Sequence, residues 1–265
     1  MPYAYLVAYD GLRFYGFTGH RNSVEPALAK AIGPIASKAS RTDPGVSALA
    51  NVVVSPSLKP LGQINASLPR GLWVWGIAEV DDGFDARRAA VARTYAYFAP
   101  YRGEDVGEIK SAASLFVGTR DLRSFAKGVQ RAVTTIYSIE VRDRGAAIEL
   151  RITGRAFKNK MVRKVAWALL AVGRGLITPE ELEELVLGLR ARPIPNAPAE
   201  GLVLISAHYS GIKFGVDENI LAKIHKYFLD RYRIFTSMSV AYEEILKGLL
   251  SYWRVSEEFL NMHRI

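Results

Sequence analysis

The chain has 265 residues, a net charge of +9, four histidines and no cysteine. Without cysteine there is no disulfide, thiolate nucleophile or thiolate-bound metal, and His20, His208, His225 and His263 lack ligand spacing, so neither a metal nor a cofactor is expected. No apolar run approaches the ~18–20 residues of a membrane span, and the first residues read as a strand and not as a signal peptide, so a cytoplasmic protein with no membrane partner is expected.

The charge is uneven. Residues 211–265 hold eight Lys/Arg against seven Asp/Glu, which leaves +8 to residues 1–210. A cationic main body suits a polyanion, although composition alone also fits a merely basic soluble protein. Along that body, Tyr3–Tyr9 alternates as a strand apolar on both faces. Ser23 opens a helix whose Val24, Ala27, Leu28, Ala31 and Ile32 form one stripe, with Gly33 as its stop. Residues 52–54, 72–80 and 93–99 are strand candidates, and 106–117 reads as a helix. Asp143-Arg144-Gly145 turns strand 133–142 into strand 146–153. Met161, Val165, Leu169 and Val172 mark a helix ending near Gly173 and Gly175; Thr178, Pro179 and Glu181 open another, to about Leu189. Residues 202–209 close the body as a strand.

After Tyr209 the pattern turns helical. Ile220, Ile224, Tyr227 and Phe228 suit one amphipathic helix; Tyr242, Ile245, Leu246, Leu249 and Trp253 suit a second, and Ser256 caps a third. These stripes must dock, either on the main body or on a protein partner. The expected class is α+β, divided at 1–102, 103–210 and a helical extension, 211–265.

Five segments carry chemistry. Ser40-Arg41-Thr42-Asp43-Pro44-Gly45-Val46 places a carboxylate at the mouth of a tight turn, because proline keeps Asp43 extended and Pro44-Gly45 suits a type II turn. Taken alone, such turns are common surface features. Tyr9-Asp10-Gly11 followed by Tyr15-Gly16-Phe17 runs a strand into a glycine-rich aromatic loop. Arg93, Tyr95 and Tyr97 share one strand face, a guanidinium beside two rings, which can hold a phosphate and stack an unpaired base. By itself this also fits a core face with one snorkelling arginine. Lys158, Lys160, Arg163 and Lys164 cluster at a helix start, where cations oppose the dipole and suggest an anionic partner. Asn196-Ala197-Pro198-Ala199-Glu200-Gly201-Leu202 leads into the last strand.

In this order and at these intervals, Arg-Thr-Asp-x-Gly-Val, Arg-x-Tyr-x-Tyr, Met-Val-Arg and Ala-Pro-x-x-Gly-Leu resemble the tRNA pseudouridine synthase A (TruA-type) family over roughly residues 3–209, with an archaeal-like C-terminal extension. The chain departs from the usual family pattern at Phe17, His20, Ser40 and Ser47, where Trp, Gln, Gly and His are usual. The resemblance implies two similar subdomains with antiparallel sheets around a basic cleft, a homodimer, and isomerisation of uridine to pseudouridine in the tRNA anticodon stem-loop, commonly at tRNA positions 38 to 40. It implies Asp43 as the catalytic carboxylate, Arg163 as its cationic partner and Tyr95 stacked on the target uracil. Arg41 is expected in the gap left by the flipped nucleotide, and Arg93, Lys158 and Leu202 among the groups that bind substrate. The competing reading is a non-catalytic RNA-binding protein on the same fold.

Overall fold

The computed structural model describes residues 1–190 and 192–253. They fall into two compact units, one up to Asp217 and one from Glu218 on. In the first, chain order gives β1 (Tyr3–Tyr9), α1 (Val24–Ile32), β2 (Ser37–Lys38), β3 (Ser47–Ser55), α2 (Leu61–Ser67), β4 (Leu72–Glu79), α3 (Ala86–Ala89) and β5 (Ala92–Pro100). Then follow α4 (Val106–Ala113), β6 (Gly118–Asp121), β7 (Val133–Asp143), β8 (Ala147–Gly154), α5 (Met161–Gly173), α6 (Pro179–Leu187), β9 (Leu202–His208) and β10 (Gly215–Val216).

This is an α+β architecture built on a ten-stranded sheet, in which strands run β10-β4-β1-β3-β9-β5-β8-β7-β6 and β2 pairs the free stretch of β3. An antiparallel sheet was expected in each half. Both are present, but they are one continuous sheet, joined where Ser47 and Ala48 of β3 run parallel to Val203 and Leu204 of β9. The join has a functional consequence. It sets the loop before β3, which carries Asp43, beside the loop before β9 and one strand away from β5.

Residues of alternating parity on β1, β5 and β8 face a single core with the helices: Tyr5, Val7 and Tyr9, then Tyr95, Tyr97 and Ala99, then Ile148, Leu150 and Ile152. The central helix α5 is buried almost all round, Met161 and Val162 through Val172, and packs on α4 and β5. A smaller apolar cluster of Ala4, Leu6, Val52, Val54 and Ala207 lies on the opposite face, covered by Trp75, Phe84, Tyr209, Ile212 and Phe214.

Local signals explain most boundaries. Thr178 caps α6 through its side chain, accepting from the Glu181 amide, with Pro179 in the first turn. Asp143 accepts from the Gly145 amide, and Gly145 takes φ 75° to turn β7 into β8. Ser23 stands at the start of α1 but makes no capping bond; its hydroxyl donates to Tyr15 O and accepts from the His20 amide, tying down the preceding loop instead.

In the second unit, α7 (Glu218–Trp253) is one helix of 36 residues where two were expected. No proline interrupts it, and its one glycine, Gly248, lies late, so the polar stretch Thr236-Ser237 continues the helix. Tyr242, Ile245, Leu246 and Leu249 are exposed on it. The third expected helix, at Ser256, lies outside the described residues. Among the described residues no helix is long and apolar enough to cross a membrane.

One close approach fixes the Asp43 loop to the start of the chain. A Cβ at Gly11 would lie 2.3 Å from Val46 C and 2.4 Å from Val46 O, both main-chain atoms that cannot swing aside. Gly11→Ala is therefore expected to destabilise the fold by about 1–3 kcal/mol and to lower the melting temperature by several degrees. Gly62→Ala, in α2 with open space around it, is expected to leave the melting temperature unchanged or raise it. Equal melting curves for the two variants would contradict this packing.

Candidate functional site

Asp43 sits at the entry of the turn its neighbours dictate. Gly45 takes φ 88° and the Val46 amide donates to Asp43 O at 3.2 Å, with Pro44 between them. A Cβ on Gly45 would lie 3.0 Å from Ala199 Cβ and 3.1 Å from Glu200 Oε1, so the Asn196–Leu202 segment lies directly on this turn. On the other side, the Phe17 amide donates to Thr42 O at 3.0 Å and the Gly11 amide to Ser47 Oγ at 2.9 Å. The glycine-rich aromatic loop thus clasps the Asp43 loop from the N-terminal half.

Arg163 reaches the carboxylate from α5. Its Nη1 donates to Asp43 Oδ2 at 2.8 Å, while its Nε donates to Ala197 O at 2.7 Å. The Ala197 amide returns a bond to Arg163 O at 3.1 Å. The guanidinium is therefore aimed by its own main chain and by the loop before β9. Both ion-pair side chains are largely shielded, at 16% and 25% exposure. An anion thus stands fixed and partly shielded from solvent, where charge–charge contacts are stronger than in water.

Beneath the loop lies a buried polar network. Tyr9 Oη and Thr42 Oγ1 are hydrogen-bonded at 2.8 Å; Asn51 Nδ2 donates to Ser40 O at 3.0 Å and to Tyr9 Oη at 3.4 Å. Tyr95 Oη donates to Ser40 Oγ at 3.2 Å, and its ring meets Phe157 edge-on at 5.4 Å between centroids. Tyr95 is 8% exposed and Asn51 fully buried. These contacts satisfy polar groups that would otherwise destabilise the interior, and they fix both ends of the segment from Ser40 to Thr42.

Of the residues singled out in the sequence, Asp43, Tyr95 and Arg163 converge here. Arg41 is exposed on the same loop and Lys158 is exposed between Tyr95's neighbour Phe157 and α5. Leu202 is buried at the start of β9, in register with Tyr97. Arg93 is buried, and its guanidinium is occupied by main-chain carbonyls. Asn51 supports the site without having been picked out for it, while Tyr9 and Phe157 were noted only as parts of longer segments. The one signal for Asn51 was a polar side chain inside the apolar run Ala50–Val54.

Cations flank the site: Lys127, Arg131, Arg155 and Lys158 are exposed and Lys160 is half-buried. The Lys127 amide donates to Asn159 O at 3.3 Å, which brings the loop of Lys127 and Arg131 beside Arg155, Lys158 and Lys160. Lys160 holds φ 62°, the left-handed region, as the residue before α5.

Three phenols around the site are pushed above the ordinary tyrosine range. Burial is the main cause for each. For Tyr9 the bonds from Thr42 and Asn51 oppose it. For Tyr95 the Ser40 bond and the Arg93 charge oppose it while the Asp43 charge adds. Tyr97 is raised to about 12, with Arg163 opposing and Glu200 adding. An unfolded phenol ionises near ~10, so above that pH the unfolded state holds fewer protons than the folded state, and stability falls as pH rises from about 10 towards 12. Melting temperature is therefore expected to drop between pH 9 and pH 11, and to drop less in Tyr9→Phe. An equal drop in the two proteins would contradict this assignment of Tyr9.

Comparison with known proteins shows the family. Residues 112–210 match a family described as tRNA pseudouridine synthase. A protein named tRNA pseudouridine synthase A from Pyrobaculum arsenaticum is 51% identical over 91% of this chain and 95% of its own. Proteins of the same name from Thermococcus kodakarensis and Pyrococcus furiosus are 37% and 31% identical, over 88% and 93% of this chain and 94% and 98% of theirs. With a relative this similar along nearly its whole length, the chain belongs to the tRNA pseudouridine synthase A family, whose members are isomerases.

Proposed function

We propose that the protein converts uridine to pseudouridine in the anticodon stem-loop of tRNA, at tRNA positions 38 to 40, with Asp43 as the nucleophile. The observation that carries this reading is the Asp43–Arg163 ion pair at 2.8 Å, formed by residues far apart in sequence and set beside the buried ring of Tyr95. The relatives' names supply tRNA as the substrate.

In this reaction the N1–C1′ bond of uridine breaks, the uracil rotates, and C5 bonds to C1′. The C5 proton leaves and N1 takes one, so composition is unchanged and no group donor enters. A carboxylate can attack C1′ or add at C6, and the same group can instead take the 2′ proton on a glycal route. All three need an oriented anion beside a base shielded from water, which the loop of Asp43 supplies. Arg163 fixes the position of that anion through one Nη and is itself held through Nε.

Tyr95, whose hydroxyl reaches Ser40 on the Asp43 loop, is the ring on which the uracil stacks, a contact worth about 1–3 kcal/mol per base. A phenol raised by burial is a poor base at neutral pH, so stacking is the role assigned to it. The nucleotide must leave its stem to reach Asp43, at a cost of a few kcal/mol, and exposed Arg41 is placed to fill the gap. The phosphates run along Lys127, Arg131, Arg155, Lys158 and Lys160. Two similar halves, 1–102 and 103–210, acting as a homodimer in the cytoplasm, complete the proposal.

Unmodified tRNA incubated with the protein is expected to gain pseudouridine at positions 38 to 40. Asp43→Asn is expected to lose roughly a thousandfold or more in single-turnover rate while binding tRNA within about threefold of wild type. Full activity in the variant would remove Asp43 from the mechanism. Binding without conversion by the wild type would leave only an RNA-binding protein, and pseudouridine elsewhere in the tRNA would move the target away from the anticodon stem-loop.

Removing the exposed cations is expected to act on binding and not on chemistry. Lys158→Ala together with Arg155→Ala should weaken tRNA binding across all sequences and make its salt dependence shallower by about two log units per log unit of salt at most. An unchanged salt slope would take this surface out of the interface.

A further inference from the structure

Arg93 differs from the other arginines near the site. It is 4% exposed, and among the described residues no carboxylate pairs with it. Each of its hydrogen bonds ends on a main-chain carbonyl. Nη1 donates to Arg155 O at 2.7 Å and Ala90 O at 3.3 Å; Nη2 donates to Arg87 O at 2.5 Å and Ala39 O at 3.3 Å. A buried cation without a counter-ion is expensive to desolvate, and carbonyl dipoles recover only part of that loss. Only the planar fork of arginine presents enough N–H groups, in fixed directions, to hold four acceptors at once.

The acceptors come from three places in the chain. Ala39 immediately precedes Ser40, at the start of the loop that carries Asp43. Arg155 follows β8 and leads through Phe157, the ring against Tyr95, to α5 and Arg163. Arg87 and Ala90 belong to α3 and its exit into β5. Arg93 itself lies two residues before Tyr95 on β5, on the same face. The three segments that supply Asp43, Tyr95 and Arg163 therefore meet at one guanidinium, whose four Nη N–H groups are all committed to main-chain carbonyls.

We infer that Arg93 is a positioning residue, which holds the Asp43 loop, the Tyr95 strand and the segment leading to Arg163 in mutual register and makes no contact with RNA. This rests on the assignment of those three residues as the reacting cluster. It replaces the phosphate-binding role that the Arg93, Tyr95, Tyr97 face suggested in the sequence. A displacement of about 1 Å between reacting groups is enough to slow a reaction about a hundredfold. Lysine at this position keeps the charge but loses the fork.

The test compares wild type with Arg93→Lys and Arg93→Ala, using unmodified tRNA and rates corrected for the folded fraction. Arg93→Lys is expected to lower kcat about a hundredfold while KM, tRNA affinity and the salt slope of binding stay within about threefold of wild type. Hydrogen exchange is expected to quicken in residues 40–46 and 155–160 of the same variant, and added guanidinium ion is expected to restore part of the rate of Arg93→Ala. Weaker tRNA binding with a salt slope shallower by about one would overturn the inference in favour of a phosphate contact. A lower melting temperature with kcat unchanged would overturn it in favour of stability alone. If the wild type makes no pseudouridine, the functional assignment fails, and the exchange measurement still decides the clamp: quickened exchange in both segments supports it and unchanged exchange overturns it.

Discussion

The ion pair between Asp43 and Arg163 is the constraint that the rest of the main body serves. One partner sits on a turn in the first fifth of the chain and the other in the first turn of α5, and neither position is fixed by its own neighbourhood alone. The sheet brings them together. Because β3 and β9 run parallel at Ser47 and Ala48, the loops preceding both strands emerge at the same end, and Arg163 bonds to each of them. The parallel pairing also explains why the Asn196–Leu202 segment matters without supplying a reactive group: its Ala197 carbonyl aims the arginine.

A second layer keeps this arrangement stiff. Tyr9, Thr42, Asn51, Ser40 and Tyr95 form a chain of hydrogen bonds under the loop, linking β1, β3 and β5 across the core. Buried networks of this kind are favourable when every member is satisfied and costly when one is lost, so they specify a single geometry more than they add stability. Ser40 stands where the family usually has glycine, and in this chain its hydroxyl accepts from Tyr95. This departure from the usual pattern is therefore built into the support of the site.

The Asp43 turn was legible in the sequence because proline and glycine fix the backbone locally, whatever surrounds them. The helix of Met161 was legible for a related reason: its apolar spacing persists for three turns. The partnership of Asp43 with Arg163 was not a local property and came only from resemblance to a family. Asn51 showed only as a polar side chain in an apolar run, because its role depends on β1 lying beside β3, which places Tyr9 and Ser40 within its reach. Arg93 was ambiguous, since alternation puts it on a face with two aromatic rings but does not say whether that face is core or cleft. The two apolar stripes expected as separate helices lie on the one helix α7, because Thr236 and Ser237 between them lower helix propensity without ending a helix.

Whether Asp43 and Arg163 act as one unit is decided by a double-mutant cycle on the single-turnover rate of pseudouridine formation in tRNA. Asp43→Asn, Arg163→Met and the two combined are compared with wild type. Residues that work through each other lose their effect only once, so the double variant is expected to be no slower than the slower single variant. Losses that multiply, with the double variant slower than either by the product of the two effects, would show independent roles and contradict a single Asp43–Arg163 unit.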